Sequence, residues 1–324
     1  MRAWQLDGPG TTDAFRLVER PTPTAPDGHV VVAVGAFGLN RSELFSRRGM
    51  SSPDFTFPRV LGLECVGRVH DPGTTDLAAG ERVMALMGGM GRSFDGSYAT
   101  HTVVPRSQVF RIDSTLDDAV LGGIPETYNT AWGMVVENLG VTEGDRVLIR
   151  GGTSALGMAA GALARAQGAS TVLGTTRNPA KRDHLVELGH YDAVILEGEG
   201  FATRVLDAAG PLSAVVECVG STASVESSCA TMPDGGRIAL GGQLSESWDT
   251  DAAPRIPDGV TAQFTRSDQV ASPRDAARMA AIIAGVQQGR WGPNTWETFP
   301  FADLPRAHGV MERNEAVGKL VVVV

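Results

Sequence analysis

Cysteine is scarce: Cys65, Cys218 and Cys229 are the three in 324 residues, and they fall in no C-x-x-C spacing and no cysteine–histidine ligand pattern. That argues against a disulfide framework and against a cysteine zinc site, leaving buried free thiols of a reducing compartment as the expectation. Positive charge is also in deficit. The chain carries 28 Lys and Arg against 37 Asp and Glu, a net charge of −9, with no basic tract. Such a surface repels both a nucleic-acid backbone and an anionic membrane, so neither is an expected partner. The stretch Met1-Arg2-Ala3-Trp4-Gln5-Leu6-Asp7 has no apolar core of the signal-peptide kind, and Leu320-Val321-Val322-Val323-Val324 is far too short to cross a bilayer. A cytoplasmic location is expected. There is no internal repeat and no low-complexity tract.

What is present is glycine, 40 residues of it, in a chain long enough for two domains. Up to residue 115, short runs such as Val30-Val31-Val32-Ala33-Val34, Gly67-Arg68-Val69-His70, Arg82 to Met87 and Tyr98 to Val104 are punctuated by Pro, Gly and Asp. They read as the strands of a compact antiparallel barrel. A helix opens at Asp117, and Thr130-Ala131-Trp132-Gly133-Met134-Val135 continues helically toward a second, alternating region. There Arg146 to Arg150, Ser170 to Thr176, Asp192 to Leu196, Ala214 to Val219, Arg237 to Leu240 and Val260 to Phe264 read as six strands with intervening helices, the pattern of a doubly wound parallel sheet. Pro273 starts a helix with Ala276, Met279, Ala280, Ile283 and Val286 on one face and Gly289 as its cap. The expected division is 1–120, 121–266 and a return of 267–324 to the first domain.

The stretch with chemical content follows the first of those six strands. Gly151-Gly152-Thr153-Ser154-Ala155-Leu156-Gly157 joins an apolar strand to an Ala-rich helix. A turn of this kind aims the unpaired first amides of the helix, with its dipole, at one spot suited to a diphosphate. On spacing alone, G-x-x-S-x-x-G would serve equally as an ordinary helix cap. The next strand favours the first reading, with solvated cations at an ordinary helix cap as the alternative. Where an NAD enzyme places an acid for the 2′-hydroxyl, this chain has Thr176-Arg177, with Lys181 four residues on. A fork, a point charge and a hydroxyl suit a 2′-phosphate, so NADPH is the expected cofactor. Val219-Gly220 and Gly241-Gly242, after the fourth and fifth strands, should face it at the carboxyl ends of the sheet.

The order of these features resembles the medium-chain dehydrogenase/reductase superfamily, in particular its zinc-free quinone oxidoreductases of the zeta-crystallin type. The similarity is carried by Gly38-Leu39-Asn40-Arg41-Ser42-Glu43-Leu44, Pro58 to Gly67, Gly80-Glu81-Arg82-Val83, Gly96-Ser97-Tyr98-Ala99, Ile124 to Trp132, the glycine loop, and Gly318-Lys319-Leu320-Val321. It implies a Rossmann domain beside a GroES-like antiparallel β-barrel catalytic domain. It also implies hydride transfer from NADPH to a quinone or an α,β-unsaturated carbonyl. Zinc-dependent relatives hold their metal through a Cys where this chain has Asn40 and a His where it has Leu63, so no metal site is expected. Asn40 is then placed near the nicotinamide ribose, with an ordinary turn residue as the alternative, and Thr130 at the nicotinamide end.

Phe45 stands where many relatives carry a tyrosine donor, so Tyr128 is the nearest substitute in sequence, with a buried core tyrosine as the other reading. Glu64 reads as a structural acid, His308 as part of a surface helix, and the Met84, Met87, Met90 series as core and loop lining. The loops Ser51 to Phe57 and Leu244 to Pro257 would border the substrate. Alternatives are a pathway-specific enoyl or ketone reductase with a larger substrate, or a protein that binds NADPH without turnover. The strand Val260 to Phe264 invites pairing across a two-fold axis, hence an expected homodimer.

If Arg177 and Lys181 hold the 2′-phosphate, Arg177→Ala with Lys181→Ala will weaken NADPH binding at least tenfold, about 1.4 kcal/mol, and leave NADH binding nearly unchanged. Fluorescence titration of the two coenzymes checks this; equal losses for both would refute the assignment.

Overall fold

The fold follows from where the β-branched runs sit, in a computed structural model that describes residues 1–51, 55–245, 253–265 and 273–324. The chain divides into two units: Met1–Asn129, Ser267–Gly289 and Thr295–Val324 form one, Thr130–Arg266 and Arg290–Asn294 the other.

In the second unit all six strands are parallel, in the spatial order Ala193–Leu196, Thr171–Thr176, Arg146–Arg150, Ala214–Glu217, Arg237–Leu240, Thr261–Phe264. The chain winds outward from Arg146–Arg150 in one direction, then returns beside it at Ala214 and winds outward in the other. The order therefore reverses between Arg146–Arg150 and Ala214–Glu217, the point at which such sheets bind ligands beyond their carboxyl ends. Central strands covered on both faces need continuous apolar runs, and Val147, Leu148, Ile149, Val215 and Val216 are fully buried. The helix Ala155–Ala166 packs closely because it is built largely of Ala and Gly: a Cβ on Gly161 would press on the Tyr191 ring at 2.7 Å, and one on Gly174 would do so at 2.8 Å. Tyr191 is thereby seated between that helix and the strand Thr171–Thr176.

The first unit holds a seven-stranded sheet in the order Thr295–Pro300, Lys319–Val323, His29–Gly38, Glu64–Asp71, Arg82–Leu86, Val109–Arg111, with His101–Pro105 also paired to His29–Gly38. A three-stranded sheet joins Phe15–Glu19, Arg2–Leu6 and Arg59–Val60. Pairing is antiparallel except between Thr295–Pro300 and Lys319–Val323. The exception has a cause: helix Leu304–Glu312 lies between those two strands in sequence and supplies the crossover that a parallel pair requires.

Three expectations need correction. Ala276 and Ala280 are exposed, and the inward face of Pro273–Gln287 carries Asp275, Met279, Ile282, Ile283 and Val286 instead. The stripe is rotated because Asp275, paired with Arg278, turns inward. His308 is fully buried, since its helix lays Leu304, Ala307, His308 and Val310 against the barrel. The units part at Asn129/Thr130 rather than after 120, and residues 290–294 go with the second unit. That junction falls inside the continuous helix Pro125–Trp132, which carries no linker signal between Glu126 and Trp132. The helix runs on as a π-helical segment, Gly133–Asn138.

Gly67 passes so close to the neighbouring strand that a Cβ there would collide with the Ala33 carbonyl. Gly67→Ala is expected to destabilise by about 2–3 kcal/mol, while Gly80→Ala, where only the positive φ of 82° opposes substitution, costs about 1 kcal/mol. Thermal unfolding of the two variants checks the order.

Candidate functional site

The glycine loop belongs to the second unit. Gly151 adopts φ 81°, and its N–H donates to the Thr175 hydroxyl at 3.0 Å. The Gly152 N–H donates to the Thr175 carbonyl, and the Tyr191 hydroxyl donates to the Gly152 carbonyl, each at 3.0 Å. Ser154 caps the helix: its Oγ accepts from the Gly157 N–H at 3.0 Å and donates to the Gly151 carbonyl at 2.7 Å. The N–H groups of Ala155 and Leu156, first in the helix, have no intrahelical acceptor and are the amides left for an anion. Gly157 is required by packing, because a Cβ would strike the Gly151 carbonyl.

At the end of the neighbouring strand Thr176 is buried, and its hydroxyl is held within its own turn, accepting from the Asn178 N–H at 3.1 Å. Arg177 is exposed with no salt bridge among the described residues, and Lys181 is half-buried. Across the switch point, Glu217 is fully buried. Its Oε1 accepts from the N–H groups of Val219 at 2.7 Å and Gly220 at 3.2 Å, and its Oε2 from Ser228 at 3.1 Å. Burial pushes this carboxyl above its ordinary range. Gly220 takes φ 73°, which favours glycine, and in the turn after the next strand a Cβ on Gly242 would overlap the Cys218 carbonyl. A Cβ on Gly241 would rest 3.0 Å from the Met134 sulfur. Beneath the loop Arg150, 5% exposed, donates to Glu197 at 3.0 Å, to the hydroxyls of Ser227 at 2.7 Å and Ser228 at 3.1 Å, and lies 4.0 Å over the Phe201 ring. These loops are therefore held from within, before any ligand arrives.

In the first unit Asn40 is 8% exposed and precedes the helix Arg41–Arg47. Its Nδ2 donates to Glu64 Oε1 at 3.0 Å, and its Oδ1 accepts from Lys319 Nζ at 2.7 Å. The same ammonium reaches Glu64 Oε1 at 2.7 Å and the Thr127 hydroxyl at 2.8 Å. Thr127 shares the helix Pro125–Trp132 with Tyr128 and with Thr130, the first residue of the second unit, and all three are buried.

A second buried cluster went unread in the sequence. Glu43 accepts from the Asn40 N–H at 2.6 Å, the Leu63 N–H at 2.9 Å and the Tyr98 hydroxyl at 2.6 Å. The Tyr98 oxygen also lies 2.9 Å from His308 Nε2, and His308 Nδ1 lies 3.4 Å from Arg47. Since Tyr98 donates to Glu43 and Arg47 can only donate, His308 carries its proton on Nε2 and is neutral. Burial, reinforced by Arg47, pushes its pKa down to about 3, whereas burial pushes Glu43 up to about 7. The capping-box spacing Asn40 to Glu43 is the local signal that could have found Glu43; nothing local announces Tyr98 or His308.

Residues 52–54 and 246–252, in the two loops expected to border a substrate, lie outside the described residues. Among the described residues no group of three or more His, Cys, Asp or Glu could hold a metal ion. Asn40, Leu63 and a Glu64 already bonded to an ammonium do not fit zinc. No helix among them is long and apolar enough to cross a membrane.

Residues 26–114 match the family of alcohol dehydrogenase GroES-like domains, and residues 155–267 match the zinc-binding dehydrogenase family. The chain belongs to the medium-chain dehydrogenase/reductase superfamily. That superfamily is one of oxidoreductases, and the two units are the expected GroES-like and Rossmann folds. Solved structures of the same fold cover its whole length. An NAD-dependent alcohol dehydrogenase does so with a TM-score of 0.85 at 25% identity, covering 100% of both chains. A quinone oxidoreductase from Coxiella burnetii, at 21% identity and TM-score 0.84, covers 99% of its own chain and shares the fold. Among sequences, polyketide synthase GfsB of Streptomyces halstedii is 29% identical over 99% of this chain. The lovastatin diketide synthase of Aspergillus terreus is 33% identical over 52% of it. The chain spans only 6% of the length of each of these two relatives.

Glu43 and His308 act on stability in opposite senses. An acid whose folded pKa is raised contributes fully below its unfolded value and loses that contribution as pH rises, so wild type should lose roughly 1–3 kcal/mol relative to Glu43→Gln between about pH 4.5 and 7. A histidine with a lowered folded pKa contributes above about pH 6.5 and loses that contribution on acidification toward pH 3. Denaturant titrations of both proteins across this range test the first sign, because the His308 contribution is common to both.

Proposed function

We propose that the chain is an NADPH-dependent reductase that delivers hydride to an electron-poor carbon of a quinone or α,β-unsaturated carbonyl compound, without zinc. The observation that carries the reading is the glycine loop with its two open helix amides beside a strand that ends in Thr176-Arg177 with no acid. Gly152, Thr153, Ser154, Ala155, Leu156 and Gly157 would hold the diphosphate. Arg177 and Lys181, with the Thr176 turn, would hold the 2′-phosphate. Val219-Gly220 and Gly241-Gly242 would let backbone approach the coenzyme, and Thr130 would meet its nicotinamide end. A mycobacterial protein of the same fold is complexed with NADPH, whereas the alcohol dehydrogenase above is described as NAD-dependent, so Arg177 bears the choice.

When bound, the nicotinamide supplies the hydride. The chain's own part is to position the acceptor and to offer hydrogen bonds to the oxygen on which negative charge develops. Asn40 is the donor we assign to the reacting end. Tyr128 is the candidate proton donor; its full burial is equally that of a core tyrosine, so Tyr128→Phe decides between the two. No step is assigned to a metal.

A larger, pathway-specific enoyl substrate is the second reading, favoured by the similarity to polyketide synthases over 99% of this chain. We further infer a homodimer: Thr261–Phe264 is an edge strand of the parallel sheet, and Phe264 is 69% exposed on it.

NADPH oxidation measured against 1,4-quinones, enals, enones and enoyl thioesters tests the reading. Turnover with an enone or quinone supports the first form, and a kcat/KM at least tenfold higher for enoyl thioesters supports the second. Coenzyme binding without oxidation by any of the four would overturn both. Tyr128→Phe should lower kcat about tenfold or more if that hydroxyl donates the proton.

A further inference from the structure

Lys319 is 1% exposed, and no water can share its charge. Its side chain reaches the cluster through a slot floored by two glycines: a Cβ on Gly38 would overlap its Cε, and one on Gly123 would lie 2.9 Å from its Cγ. At the end of the slot its ammonium donates to Glu64, Asn40 and Thr127, so all three hydrogens are used. Glu64 takes a further hydrogen bond on Oε2 from the Glu126 N–H at 2.8 Å.

This arrangement removes the ambiguity inherent in a carboxamide. With Oδ1 turned to the ammonium and Nδ2 to the carboxylate, each end of Asn40 meets its complement. A flipped amide would set N–H donors against the ammonium and an oxygen against the carboxylate, losing both bonds and leaving two buried groups unpaired. Among the described residues the second Nδ2 hydrogen of Asn40 has no acceptor.

We propose that Lys319 is a positioning residue, which with Glu64 locks the Asn40 carboxamide so that the group it has left to offer is an N–H donor. The inference rests on the reading of Asn40 as the donor at the reacting end. It assigns that site a preference for an acceptor oxygen, carbonyl or hydroxyl, over a donor at the same place. Lys319 itself need touch neither coenzyme nor substrate.

Lys319→Met alone would strand the Glu64 charge and endanger folding, so the test pairs it with Glu64→Gln. Gly38→Ala is the second variant: it keeps every member of the cluster and crowds the arm, its Cβ also meeting Glu64 Oε1 at 2.7 Å and the Gly122 carbonyl at 2.9 Å. In the free protein, the Asn40 side-chain amide, assigned by its loss in Asn40→Asp, should be slow to exchange and ordered by ¹⁵N NMR. It should become mobile in Lys319→Met/Glu64→Gln and in Gly38→Ala. In turnover, both variants should lower kcat about tenfold or more with NADPH affinity changed less than threefold. Adding Asn40→Ala to either should then cost little further. An Asn40 amide that stays ordered in both variants overturns the proposal, as do penalties that multiply with Asn40→Ala. A wild type that turns over nothing refutes the reductase reading, and the NMR comparison then decides the positioning on its own.

Discussion

A lysine ammonium taken out of water costs several kcal/mol unless its hydrogens all find oxygen, and that constraint governs the first unit. Lys319 draws its partners from residues 40, 64 and 127, so a loop, a strand, a helix and a strand 279 residues away from Asn40 must converge on one atom. Gly38 and Gly123 lack side chains where the arm passes. The second unit contains a counterpart in Arg150, whose buried guanidinium gathers Glu197, Ser227, Ser228 and the Phe201 ring. In each unit a buried cation ties together segments that are distant in the sequence.

The loops at the carboxyl ends of the parallel strands show how a ligand-ready surface is made without a ligand. Gly157 and Gly242 are glycine because backbone carbonyls of Gly151 and Cys218 occupy the space a Cβ would need. Thr175, Tyr191, Ser154 and Glu217 then consume the donors and acceptors of the turns that face inward. What survives unpaired is a short set of amides pointing one way. Preorganisation of this kind means binding need order little of the protein.

The parts legible in the sequence were those with a local period or a local steric rule. The helix Ala155–Ala166 was readable from its Ala run, though not its exact ends, and the strand Arg146–Arg150 from its β-branched run. Asn40 and Glu64 were singled out by resemblance, yet their partner Lys319 entered only as one letter of a terminal motif. Its ion pair spans a distance along the chain that no window sees. His308 was misread for a related reason: one histidine on a helix looks solvated until the tyrosine and arginine that enclose it, 210 and 261 residues away, are known. The junction at Asn129/Thr130 was hidden because helix propensity continues across it.

The first unit is also interrupted along the chain, with its strand His29–Gly38 flanked by Lys319–Val323 from beyond the inserted second unit. A ribosome releasing this polypeptide therefore exposes the whole parallel sheet before the barrel's closing strand exists. Until then Glu64 has no cation beside it, and the edge of His29–Gly38 that Val321–Val323 will cover is bare. The nascent barrel is the part for which a holdase would have work to do, and the nucleotide-fold insert is the part that can mature early.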